Sequence, residues 1–85
     1  MAYKVEITPA AQRTIKKLPK NIQRKLIEII ELLAEKPRPV GVVKLSTTGN
    51  LYRVRTGDYR IIYEIQDRIL LIVITKVGHR RDVYK

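Results

Sequence analysis

The chain has 85 residues, with 18 Lys and Arg against eight Asp and Glu, a single His and no Cys, for a formal charge of +10. That length holds one domain with one core, here taken as residues 1–85. The absent cysteine excludes disulfides and thiolate metal sites, and 45% hydrophobic residues exclude a disordered chain.

The basic excess is spread evenly. Residues 1–42 and 43–85 each carry nine bases and four acids. The charge therefore belongs to the folded body and points to a polyanionic partner, nucleic acid ahead of a membrane surface, or to an acidic protein. A solubility charge is the plainer reading. The opening six residues lack an apolar signal segment, and the longest aliphatic run, Ile69–Ile74, is too short for a bilayer span. No membrane association is expected, and the expected location is the cytoplasm.

Residues 3–7 alternate apolar and polar, as a half-buried strand does. Thr8-Pro9 then starts a helix, with Thr as N-cap and Pro at the first helical position. Ala11, Ile15 and Leu18 repeat at helical spacing until Pro19. A second helix from Lys20 or Asn21 carries Ile22, Leu26, Ile29, Ile30 and Leu33 on one face, and Pro37 and Pro39 close it. The two helices should form a hairpin. Val42–Leu45 reads as a short strand. Residues 51–55 and 59–65 read as strands around a Gly57-Asp58 turn of the glycine-first type. Gln66-Asp67-Arg68 is a second turn, and Ile69–Val77 a long central strand buried on both faces and broken at Gly78. The fold class is α+β in the order β-α-α-β-β-β-β, a mainly antiparallel sheet with the helical hairpin packed on one face.

The turn predicts a register. With Gly57 and Asp58 as loop residues, Arg55 faces Arg60, Val54 faces Ile61 and Arg53 faces Ile62. One face then carries Tyr52, Val54, Ile61 and Tyr63, the core side. The other carries Arg53, Arg55, Arg60 and Ile62. Facing arginines repel, by about a few tenths of a kcal/mol. The arrangement becomes sensible with an anion between them, since the guanidinium fork matches phosphate oxygens. A solvated edge is the alternative. The ending Gly78-His79-Arg80-Arg81-Asp82-Val83-Tyr84-Lys85 adds cations, the one histidine and an aromatic ring. Tyr84 suits base stacking or anchoring of the tail; His79 suits proton transfer or packing.

Other chemistries are absent. The composition offers no metal cluster, no glycine-rich phosphate loop, no GxSxG context and no paired carboxylates. Neither metal nor small-molecule cofactor is expected. Catalysis would have to run on Arg, Lys, His and Tyr, which RNA permits because its own 2′-hydroxyl is a nucleophile.

In its order of motifs the chain resembles the RelE branch of the RelE/ParE toxin superfamily. The similarity runs from Tyr3-Lys4-Val5 through Lys17-Leu18-Pro19, Pro37-x-Pro39 and Lys44-Leu45. It is clearest in Leu51-Tyr52-Arg53-Val54-Arg55-Thr56-Gly57-Asp58-Tyr59-Arg60-Ile61-Ile62-Tyr63 and in the ending from Val77 to Tyr84. The resemblance implies a toxin of a type II toxin–antitoxin pair, a ribosome-dependent, metal-independent endoribonuclease that cuts mRNA in the ribosomal A site. It implies a RelB-like or similar antitoxin as partner, beside the ribosome and mRNA. By position, Arg60 matches an arginine on the scissile phosphate, Arg80 one that stabilises charge or protonates the leaving oxygen, and Tyr84 a tyrosine stacked on a base. Arg53 and Arg55 stand where the best-known member has catalytic lysines. Arginine is a poor general base, so His79 is the candidate base unless activation is electrostatic alone. Lys44, Arg53, Arg55 and Arg81 complete the expected RNA-binding set. A gyrase inhibitor on the same fold, or a non-catalytic RNA- or ribosome-binding relative, are the competing functions.

Overall fold

The computed structural model describes residues 2–45 and 49–79. Strand β1 (Lys4–Ile7) is followed by helices α1 (Pro9–Lys16) and α2 (Lys20–Glu35). Strands β2 (Val43–Lys44), β3 (Leu51–Thr56), β4 (Tyr59–Gln66) and β5 (Leu71–His79) follow, with a 3₁₀ turn at Asp67–Ile69 between the last two. The expected element order and class hold. The five strands form one sheet in the order β1-β5-β4-β3-β2. Only the β1–β5 pair is parallel: the helices carry the chain from β1 to β2 at the opposite edge, and three antiparallel pairings then bring β5 back beside β1.

Local chemistry sets the helix ends. The Thr8 hydroxyl accepts the Ala11 N–H at 3.3 Å, and Pro9 occupies the first turn. Pro19 breaks the chain between the helices. The Gln23 side chain then reaches back, donating to the Leu18 carbonyl at 2.8 Å and the Lys16 carbonyl at 3.4 Å. Those carbonyls would otherwise lack partners at the end of α1, so Gln23 fixes the joint.

Both helices cover one face of the sheet. Ala11 and Ile15 of α1 and Leu26, Ile30 and Leu33 of α2 share a single core with Tyr52, Val54, Ile61, Tyr63, Ile65, Ile72, Ile74 and Val77. The other face has no layer over it among the described residues. This corrects the expectation for the long strand. It starts at Leu71, runs through Gly78 to His79, and is buried on one face only. It is interior to the sheet, but helices pack on a single side, so Leu71, Val73 and Thr75 stay half-exposed.

The connection from α2 to β2 is tied down by polar contacts. Arg38 forms an ion pair with Asp67 at 2.8 Å and donates through Nε to the Tyr52 hydroxyl at 3.3 Å. The Tyr3 hydroxyl donates to the same Asp67 at 2.7 Å, and the Tyr63 hydroxyl donates to the Pro37 carbonyl at 2.6 Å. Burial pushes the Tyr63 phenol up to about 12. The hydrogen bond from Arg38, followed by that from Tyr3, holds the Asp67 carboxyl below its ordinary value.

Two outcomes follow from these contacts. A carboxylate whose folded value is depressed stabilises the fold above its unfolded value, near 3.9, and loses that contribution as pH falls through the folded value. Thermal melts from pH 6 to pH 2 should therefore show a shallower acid decline for Asp67→Asn than for wild type. Gly57, in the tight turn, has φ of +57°, a region costing an L-residue about 1–2 kcal/mol. Gly57→Ala should lose about 1 kcal/mol in urea unfolding with an unchanged m-value.

Candidate nucleic-acid interface

The β3–β4 hairpin builds the site. Thr56 pairs with Tyr59, Arg55 with Arg60, Val54 with Ile61 and Arg53 with Ile62, as the two-residue turn requires. Alternation then divides the hairpin. Tyr52, Val54, Ile61 and Tyr63 are buried against the helices. Arg53, Arg55, Arg60 and Ile62 stand on the uncovered face. Arg55 is exposed, while Arg53 and Arg60 are half-buried; the Arg60 Nε has no contact with solvent. Facing side chains across such a pair start about 5 Å apart. Three guanidinium groups therefore converge over one short stretch of sheet.

Strand β5 borders this patch. Gly78 pairs with Arg60 and Lys76 with Ile62. Glycine puts no side chain beside Arg60, and Lys76 adds a cation on the same face. The register shifts between Ile62 and Tyr63, leaving Thr75 as the extra residue of a β-bulge, with its hydroxyl donating to the Ile62 carbonyl at 3.0 Å. The bulge inverts the facing of everything after it. Ile72 and Ile74 point to the core before it; Val77 does so after it.

The bulge also decides where His79 lies. His79 pairs with Tyr59 and follows the side of Val77, away from the arginines. Its ring meets Tyr59 edge-on, with centroids 5.6 Å apart and an interplanar angle of 79°. The structure thus brings Arg53, Arg55 and Arg60 together and sets His79 on the helix side. Lys44 is also apart from them. It is exposed, on the edge strand, and pairs with Tyr52, so it shares the core-side face. Arg80, Arg81 and Tyr84 lie outside the described residues.

Sequence reasoning missed Lys76, because a strand read as buried on both faces leaves no outward side for a cation. The signal was present in the change of apolar parity from Ile72 and Ile74 to Val77. It also missed the Arg38–Asp67 tie, which joins residues far apart in sequence and has no local pattern.

Comparison with known proteins gives the lineage. Residues 5–84 match the family described as "ParE toxin of type II toxin-antitoxin system, parDE". Toxin RelG of Mycobacterium tuberculosis is 34% identical over 86 residues, spanning 100% of this chain and 99% of its own. A putative toxin RelE1 of Methanocaldococcus jannaschii is 34% identical over 90 residues, spanning 100% and 98%. Among solved structures, the archaeal RelE–RelB complex from Pyrococcus horikoshii aligns at 36% identity with a TM-score of 0.86, covering 96% of this chain and 99% of that one.

The chain belongs to the RelE/ParE family of type II toxins.

In the toxin, the arginine face gathers three guanidinium groups on one side of the hairpin. Each guanidinium offers a planar fork that fits phosphate oxygens. Inorganic phosphate should report this directly. Arg55→Ala removes the pairwise repulsion, about a few tenths of a kcal/mol, so it should melt no lower than wild type in phosphate-free buffer. Wild type should gain thermal stability as phosphate is added, and the variant should gain less. Equal gains would place the anion elsewhere.

Proposed function

We propose that the toxin is a metal-independent endoribonuclease that cuts mRNA in the ribosomal A site. The observation that carries this reading is the convergence of Arg53, Arg55 and Arg60 on the uncovered sheet face. In the reaction, the ribose 2′-oxygen attacks the adjacent phosphorus and the bond from phosphorus to the 5′-oxygen breaks. The 2′-hydroxyl proton passes to water, and a proton from water reaches the departing 5′-oxygen. The products are a 2′,3′-cyclic phosphate and a 5′-hydroxyl.

Arg60 holds the scissile phosphate, and Arg53 and Arg55 share the charge that builds on its non-bridging oxygens. Arg80 stabilises charge on the leaving oxygen, and Tyr84 stacks on a base, positions carried from the family resemblance. Arg81, also carried from the resemblance, extends the contact to neighbouring phosphates, whereas Lys44, on the other face of the sheet, stands apart from it. For His79, the ring contact with Tyr59 favours a packing role over proton transfer. The toxin acts in the cytoplasm, where ribosomes are, and an antitoxin restrains it; the Pyrococcus horikoshii relative is a complex of RelE with RelB.

A second reading has its own support. The matched family is described by a ParE toxin, so the fold could serve gyrase inhibition without nuclease chemistry. Single-turnover cleavage of mRNA on programmed ribosomes decides between them. Arg60→Ala should slow cleavage by about 10²–10³, the usual loss for one transition-state donor. His79→Ala should lose about 1 kcal/mol of stability, the scale of an aromatic pair, while its rate per folded molecule stays near wild type. A larger fall in rate than in stability would return the proton to His79. Wild-type toxin that leaves mRNA intact but arrests gyrase would replace the nuclease reading.

A further inference from the structure

Six cations, Arg13, Lys16, Lys17, Lys20, Arg24 and Lys25, fall within residues 7–27, where there is no acid. They occupy the joint of the helical hairpin. All six are exposed, and none pairs with a carboxylate among the described residues. The fold does not explain them. Lys20 opens α2, whose first turn has no acidic residue, and a cation there opposes the positive end of the helix dipole. Gln23 holds the joint rigid, so the lysines project from a fixed frame.

Their location in the fold gives the cluster its meaning. Leu18, at the joint, lines a cleft with Tyr59, Gly78 and His79. Lys25 and Ile22 line another with the Thr56–Tyr59 turn. The joint therefore sits at the same end of the molecule as Arg55 and Arg60, on the far side of the sheet. Asp58, in the turn, shares this end; other acids gather elsewhere. Glu28, Glu31 and Glu35 follow on the later turns of α2, beside the exposed Ile27 and Leu32. Glu64 and Asp67 stand at the other end of β4. One pole of the toxin is basic on both its faces.

We propose that the helical joint, through Lys16, Lys17 and Lys20, is a second phosphate-binding surface that holds RNA flanking the segment on the arginine face. A protein partner would find exposed large apolar anchors, Ile27 and Leu32, on the later turns of α2; at the joint the exposed charged side chains are cations. Lysine, a mobile point charge, suits backbone contact without sequence preference, whereas the sheet face uses the directional fork of arginine. The identity of the polyanion rests on the RNA reading above, but the surface does not depend on cleavage.

The test is a salt titration of binding to a 30-nucleotide RNA stem-loop of arbitrary sequence. Two charge-matched triple variants are compared: Lys16→Gln, Lys17→Gln and Lys20→Gln at the joint, and Lys4→Gln, Lys36→Gln and Arg68→Gln toward the opposite pole. Each phosphate contact contributes about 0.7–0.9 to the slope of log K against log salt. The joint variant should lose about 2 units of slope and the opposite-pole variant less than 1, with melting curves like wild type for both. Equal losses would reduce the effect to net charge, and an unchanged slope in the joint variant would remove the surface; either overturns the proposal. So would a joint variant that keeps its RNA slope but stops binding phosphatidylglycerol vesicles. Because the readout is binding, failure of ribosomal cleavage by wild type leaves this result standing.

Discussion

The two residues Gly57 and Asp58 fix the site more than any residue in it. A two-residue turn allows one pairing of β3 with β4, and the pleat then sends alternate residues to opposite faces. In that pairing four apolar side chains enter the core and three arginines leave it. A slip of one residue would reverse both sets. Ionised guanidinium groups would meet the helices, and Tyr63 and Ile61, now fully buried, would face water. Burying one large apolar side chain is worth about 1.5–3 kcal/mol, so the slipped form is far out of reach. The core thereby enforces the position of the cations, though it touches none of their charged ends.

The bulge at Thr75 acts in the opposite sense. It lets one continuous strand satisfy two different partners. Up to Ile74, β5 pairs with β1 and keeps its even-numbered residues inward. Beyond it, α1 takes over the neighbouring space: the Thr8 N–H donates to the Ile74 carbonyl at 3.1 Å and the Thr8 hydroxyl to the Thr75 carbonyl at 3.3 Å. The N-cap of α1 thus braces the bulge. The consequence for the site is an exchange, with Lys76 and Gly78 on the arginine face and Val77 and His79 on the helix face.

These two features separate what the sequence made legible from what it did not. The hairpin register was readable because it depends on a local rule, a glycine-first turn between alternating strands. The helix starts were readable for the same reason, through Thr8-Pro9 and Pro19. The facing of His79 was not readable, since it depends on a bulge braced by residues nearly 70 positions earlier. One-sided burial of β5 was missed because an aliphatic run looks alike whether one face or two is covered, and only the layer count decides. The Arg38–Asp67 tie crosses 29 positions and joins two exposed side chains, a pairing that composition and periodicity do not encode. Recognition of the family supplied what remained, including the roles expected for Arg80 and Tyr84, which lie beyond the described residues.

The use of arginine shapes the chemistry open to this face. A lysine near other cations can lose its proton and serve as a base; a guanidinium cannot at any pH where the protein is folded. Three arginines therefore contribute charge and direction, and no proton transfer. In the proposed reaction that favours the stage at which negative charge accumulates on phosphorus oxygens, over the stage at which the 2′-hydroxyl is deprotonated. With His79 turned toward Tyr59, no described side chain beside Arg60 is an evident base. Facing arginines across a strand pair repel, by about a few tenths of a kcal/mol, and an anion seated between them would offset that. In the proposed function, RNA phosphate and an acidic antitoxin segment would each do so, and the two would compete for the arginine pair.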